Sequence, residues 1–157
     1  IAHGMQPIVG YNYGAGQHKR VFDTLRLVII VSTCITGAGF FCCLFFPETI
    51  AQAFTNDPEM VKISSNALRL TLLGFLPVGS QIAISQFFQS IGIAWKAMFL
   101  SLSRQVLFLI PAVVFLPLFF DLNGVWLAGP FSDIIAVATA WVFLGYHVKS
   151  VQKKHGL

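Results

Sequence analysis

Long apolar runs, separated by short polar or proline-bearing spacers, set the pattern of this chain. Residues 25–46 hold no charge after Arg26, and the run stops at Pro47. As a helix this run would be about 33 Å long, enough to cross the hydrocarbon layer of a bilayer with modest tilt. Comparable runs cover 67–89, 97–119 and 125–146, and residues 1–12 read as the end of another span. Gly74 and Pro77 break the third run, while Pro111 and Pro117 interrupt the fourth, which also carries Arg104. The spacer 48–65 is polar. Within it, Thr55-Asn56-Asp57-Pro58-Glu59 reads as a helix stop, an N-cap at Asn56 or Asp57, and a restart with proline in the first turn. A short interfacial helix leading into the third span is the expected result. Asp121-Leu122-Asn123-Gly124 leaves room only for a reversal between antiparallel neighbours. Gly37 and Gly39 are small residues of the kind that let membrane helices approach closely. The pattern predicts an all-α integral membrane protein, a polytopic helical bundle.

Composition agrees with that reading. Hydrophobic residues make up 56% of the chain and charged residues 10%, with a mean hydropathy of +0.77, against about 25% charged in soluble domains. The chain opens with Ile1 inside an apolar helix end, so it reads as a piece of a longer protein in which no signal peptide is expected. The net charge of +4 comes from basic residues at span ends, which points to membrane topology and not to a nucleic-acid partner. With alternating connections, Lys19, Arg20, Arg26, Lys96, Arg104, Lys149, Lys153 and Lys154 fall on one side, eight of the ten basic residues. Lys62 and Arg69 fall on the other, with Glu48, Asp57, Glu59 and Asp121. The positive-inside rule makes the first loop and the C-terminus cytoplasmic.

Little in the chain can carry covalent chemistry. Cys34, Cys42 and Cys43 lie in one apolar run without CxxC or His-paired spacing, so packing or lipid contact is expected of them and no metal site is predicted. His3, His18, His147 and His155 sit at span ends or in loops, where surface roles are expected. Gly14-Ala15-Gly16 lacks the Walker spacing, and no Ser/His/Asp constellation appears. Neither an enzyme nor a cofactor is implied.

Two polar features inside spans stand out. Gln81, Ser85 and Gln89 recur at i, i+4 and i+8 and share one helical face, which should point to protein or water. That face is either the wall of a substrate pathway or an interhelical hydrogen-bond seam; Gln86, about 90° away from Ser85, has no assignment. Gln6 and Asn12, on the opening helix end, are further pathway candidates. Asp133 falls about 12 Å deep in the last span, where an acid is a candidate proton or cation site and needs a partner. Arg104 in the preceding span can reach mid-depth, so an Arg104–Asp133 ion pair is the expected arrangement. Around Gly4–Arg20, Pro7 predicts a bend, Gly10, Gly14 and Gly16 allow a tight turn, and Lys19 and Arg20 form a basic cytoplasmic loop.

Four stretches together resemble one family. They are Gly4-Met5-Gln6-Pro7-Ile8-Val9-Gly10-Tyr11-Asn12-Tyr13-Gly14-Ala15-Gly16 with Lys19-Arg20-Val21; Phe54-Thr55-Asn56-Asp57; Phe87-Phe88-Gln89-Ser90-Ile91-Gly92 with Ser103-Arg104-Gln105; and Gly124-Val125-Trp126 with Pro130-Phe131-Ser132-Asp133. In this order they resemble the C-terminal half of the MATE (multidrug and toxic compound extrusion) transporters, and the first is worded like the bacterial MepA-like and DinF-like branch. The resemblance implies a twelve-helix, two-lobe transporter in a bacterial inner membrane. Residues 1–157 would supply the end of helix eight and helices nine to twelve, with the N-terminal lobe outside this sequence. It implies export of cationic or amphipathic drugs by antiport of H+ or Na+ with alternating access. Some sodium-coupled members carry an acid in the helix that corresponds to 67–89, and this chain has none there. An acid in the missing lobe, titrated by protons, is the expectation that remains.

Two other readings are weaker. A lipid-linked oligosaccharide flippase of the same superfamily often needs basic residues along its cavity, and here nearly all Lys and Arg sit at span ends. A non-transporting membrane scaffold does not call for helices broken at Gly74/Pro77 and Pro111/Pro117, which suit bending in a conformational cycle.

Overall fold

A computed structural model describes residues 2–155, which are mostly helical with no strand among them. Helix α1 is Met5–Gly14, α2 is His18–Phe45, α3 is Pro47–Gln52 and α4 is Pro58–Thr71. Helix α5 is Val78–Ser90 and α6 is Ala94–Leu102, which runs on through a π-helical segment, Ser103–Leu109, into α7, Ile110–Phe115. Helix α8 is Pro117–His155, kinked at Asp121. Three helical stretches are long and apolar enough to cross a membrane: His18–Phe45, Ala94–Phe115 and Pro117–Val151. The bundle is that of a helical membrane protein, as the apolar runs predict.

Local differences from the pattern have physical causes. Helix α2 begins at His18, so Lys19 and Arg20 lie in its first turn and not in a loop. Good helix formers such as Lys and Arg continue a helix readily beyond its apolar stretch. The turn before it is short: Gly16 adopts φ +71°, and the Gln17 amide donates to the Asn12 carbonyl at 2.9 Å. Pro7 lies in the first turn of α1, where its missing N–H removes no intrahelical bond, so the predicted bend has no hydrogen-bond cause.

The third apolar run is two helices. Asp57 caps α4, its carboxylate accepting from the Glu59 amide at 2.9 Å, and Pro58 takes the first position. The chain then turns through 72–77 before α5 starts. Gly74 belongs there because the break lies against α8: a Cβ on Gly74 would stand 2.6 Å from Pro130 Cα. Thr36 on α2 donates to the Leu76 carbonyl at 2.9 Å and ties the same break to a second helix.

The π-helical segment precedes Pro111, the second residue of α7. A proline ring collides with the carbonyl four residues back and leaves one acceptor unpaired. Widening the preceding turn relieves that collision, a common cause of π segments and kinks. At the next reversal only Asp121 leaves helical geometry, with φ 49° and ψ −133°. Residues 122–124, expected in the hinge, are already helical.

Helix α5 is the centre of the packing. Its Ala83, Ile84, Phe87 and Phe88 are fully buried, against Met5 and Val9 of α1, Val21, Leu25 and Val28 of α2, Leu100 of α6, and Ala140 and Leu144 of α8. Gly37 and Gly39 do not carry the close α2 contact: a Cβ on Gly37 would meet nothing within 4 Å, and one on Gly39 only the Phe75 ring at 4.0 Å. Gly79 carries it instead, next to the Ser32 carbonyl. Large apolar side chains outside the core, among them Leu27, Ile30, Val106, Leu107 and Phe119, are exposed as lipid-facing residues would be.

Candidate functional site

Polar side chains on α5 sort into two directions. Gln81 Nε2 donates to the Leu100 carbonyl at 3.4 Å, and Ser85 Oγ donates to the Ala97 carbonyl at 3.2 Å. Both acceptors belong to α6, and Gln81 is buried. These two residues of the predicted stripe therefore form a hydrogen-bond seam between α5 and α6.

Gln89, the third, turns to α1. Gln6 Nε2 donates to Gln86 Oε1 at 2.7 Å and to Gln89 Oε1 at 3.2 Å. Gln86, which helical periodicity left unassigned, accepts the shorter bond. The signal in the sequence was the i, i+3 spacing of Gln86 and Gln89, which places two amides side by side on a helix. The cluster is half-buried at Gln6 and Gln86 and exposed at Gln89. Three neutral amides offer both donors and acceptors, and the amides of Gln86 and Gln89 keep donors beyond the shared bonds.

Asn12 does not join the cluster. Its Nδ2 donates to the Ile8 carbonyl one turn back at 2.7 Å, and the residue is buried in α1. This bond satisfies the amide within its own helix.

Arg104 and Asp133 do meet. Arg104 Nε donates to Asp133 Oδ1 at 2.7 Å, a charge-assisted bond that links the π-helical segment to α8. The Asp133 side chain is 9% exposed and that of Arg104 is 32% exposed. The carboxylate is thus shielded, while part of the guanidinium stays open.

His147 departs from the surface role expected of it. It is 8% exposed, with its ring 5.9 Å from Phe87 and 5.5 Å from Phe88, edge to face. Lys96 Nζ lies 5.2 Å from the Phe88 ring centre. The buried Nε2 of His147 has no hydrogen-bond partner among the described residues. An unsatisfied buried polar atom costs about 1–3 kcal/mol. His147→Phe should therefore raise stability by about 1 kcal/mol, read as a higher unfolding midpoint of the detergent-solubilised protein. A lower midpoint would show that Nε2 contributes a stabilising interaction.

The remaining candidates form no further centre. Cys34 and Cys42 are exposed, Cys43 is half-buried and all three are free thiols. Among the described residues no three His, Cys, Asp or Glu side chains are placed to hold a metal ion.

Comparison with known proteins places the chain in a family. The MatE family model matches residues 1–114. The multidrug export protein MepA of Staphylococcus haemolyticus is 23% identical over 149 residues, 94% of this chain and 31% of the relative. A protein described as an FAD transporter, from Shewanella oneidensis, is 21% identical over 135 residues, 86% of this chain and 30% of the relative. A solved inward-facing multidrug resistance MATE family transporter of the MOP superfamily shares the fold with a TM-score of 0.90. It is 18% identical, and the match covers 98% of this chain and 36% of that one. The chain spans about a third of the length of the curated relatives it matches. With the family matched over most of its length and the fold shared throughout, the chain belongs to the MATE family of membrane transporters.

Proposed function

We propose that this chain is part of a secondary active exporter of cationic and amphipathic compounds, working by alternating access against an inward cation gradient. The observation that carries this reading is the Gln6–Gln86–Gln89 cluster, half-open and free of charge. Uncharged amides on flexible stems can serve ligands of different shape, whereas a fixed charge would select one class. A multidrug export protein that matches 94% of the chain supports the same reading.

The coupling ion in this reading is the proton. No acid lies on α5, so an acid outside these helices would carry it, in the lobe that the longer relatives have. The basic end, with Lys19, Arg20 and Lys149, faces the cytoplasm in a bacterial inner membrane.

In the full-length protein, expression in an efflux-deficient host should lower accumulation of ethidium-like cations, and a protonophore should abolish the effect. Unchanged accumulation of every cationic dye would sink the exporter reading. Gln6→Ala and Gln86→Ala should each change resistance to some drugs by about three- to tenfold, the size of one hydrogen bond of about 1 kcal/mol. Gln81→Ala should leave the drug profile unchanged and loosen the α5–α6 seam by about 0.6 kcal/mol. A shifted profile in Gln81→Ala alone would reverse the assignment of seam and pathway.

A second reading draws on the relative described as an FAD transporter. Arg104 keeps guanidinium surface open beside Asp133, and an anionic substrate could use it. Flavin nucleotide efflux that is lost in Arg104→Gln, with cationic dyes unaffected, would favour this reading.

A further inference from the structure

Helices α3, α4 and the start of α8 enclose a cleft of about 1130 Å3, separate from the glutamine cluster. It is somewhat larger than the roughly 300–1,000 Å3 usual for pockets that take a drug-sized ligand. Its wall on α4 is a stripe of Glu59, Lys62, Asn66 and Arg69, spaced by three, four and three residues and so on one helical face. Glu48 faces it from α3, and Trp126 from α8. Asn66 Nδ2 donates to Asn123 Oδ1 at 3.4 Å, joining α4 to α8 across the cleft.

The charges in this cleft lack partners. Arg104–Asp133 is the one ion pair among the described residues, so Glu48, Glu59, Lys62 and Arg69 have none within 4.0 Å. Two acids and two bases, close in sequence and unpaired, suit a ligand that brings both signs.

Depth in the membrane narrows the ligand. The chain turns at 91–93 beyond α5, and α5 spans about 20 Å from there. With the break at 72–77 it takes up nearly all of a hydrocarbon layer of about 30 Å, leaving most of α4 at headgroup level. A tryptophan beside the cleft fits that depth, since Trp is enriched at membrane interfaces. Ile63 lines the cleft and Met60 lies next to it on the neighbouring face of α4; they are 44% and 54% exposed and offer an apolar surface next to the charges. Headgroup and chains could thus lie on adjacent faces of one helix.

We propose that this cleft binds the headgroup of a zwitterionic aminophospholipid in the leaflet remote from Lys19, Arg20 and Lys149. Lys62 and Arg69 take the phosphate, Arg69 through its fork of N–H donors. Glu48 and Glu59 take the primary ammonium, whose three N–H groups donate to carboxylates. The acyl chains follow Met60 and Ile63. Ethanolamine lipid is therefore preferred to choline lipid, whose quaternary ammonium has no N–H to donate.

Native mass spectrometry of the full-length transporter, loaded with phosphatidylethanolamine, phosphatidylcholine and phosphatidylglycerol in equal amounts, tests this. Phosphatidylethanolamine should stay bound preferentially, and Lys62→Gln with Arg69→Gln should cut its retention by about tenfold. Glu48→Gln with Glu59→Gln should remove the preference over phosphatidylglycerol, and Met60→Gln should weaken retention of all three lipids. Arg69→Lys should retain more than Arg69→Gln, and equal melting temperatures across the variants exclude misfolding as the cause. Unchanged retention in the Lys62/Arg69 variant would overturn the site. Equal retention of phosphatidylglycerol by the unaltered protein would overturn the zwitterion. Displacement by soluble phosphoethanolamine at matching concentration would assign the cleft to a free zwitterion and overturn the lipid.

Discussion

Asp133→Ala should destabilise the bundle by about 3 kcal/mol, the lower end of the cost of breaking a buried ion pair. The size of the loss comes from what stays behind. Removing the carboxylate leaves the Arg104 guanidinium in an apolar span with its Nε donor unpaired. Because Arg104 is 32% exposed, part of its charge is still screened, which keeps the loss from the upper end of the range. Replacing both partners tests the explanation. Arg104→Met with Asp133→Leu removes both desolvation penalties at once and should come within about 1 kcal/mol of the unaltered protein. Arg104→Lys should also destabilise, since an ammonium lacks the Nε–H that makes the 2.7 Å bond. Thermal unfolding in detergent would read all three variants. A double variant as unstable as Asp133→Ala would show that the pair stabilises through its polarity and not merely by cancelling charge.

That pair was legible in the sequence because depth alone limits the choice: Asp133 is the acid inside a span, and Arg104 is the base that can reach its level. The helical membrane bundle was legible for a similar reason, since long charge-free runs have few alternatives. What periodicity missed depends on neighbours distant in sequence. Ser85 and Gln86 are adjacent, yet one bonds α6 and the other α1, and only the packing around α5 separates them. His147 reads as an end-of-span residue until Phe87 and Phe88, sixty residues earlier in round numbers, close over it. Lys19 and Arg20 read as a loop because charge marks the end of an apolar run, whereas α2 extends past its apolar part. The π-helical segment has a local cause in Pro111, but nothing in the residue pattern fixes which turn widens.

Gly79→Leu should destabilise the bundle by about 3 kcal/mol or more, with loss of the α2–α5 contact. A Cβ on Gly79 would stand 2.5 Å from the Ser32 carbonyl oxygen and 2.6 Å from its carbon. Both are backbone atoms, so no side-chain rotation relieves the clash and the two helices must separate. Separation is especially costly here. In a membrane, apolar burial drives little helix association, because lipid is as apolar as the neighbouring helix. Close backbone approach through small residues is what remains, and α5 is the helix on which the others converge. Moving it outward would also disturb the Thr36 bond to the 72–77 break and the Trp141 bond to Ser80, at 3.2 Å on the neighbouring residue. Gly37→Leu is the control: nothing outside its own helix turn lies within 4 Å of a Cβ there, so the change should be much smaller than at Gly79. Gly79→Ala should already lower the melting temperature, because its single methyl meets the same carbonyl. If Gly79→Leu were as stable as Gly37→Leu, close contact at Gly79 would not be what holds α2 against α5.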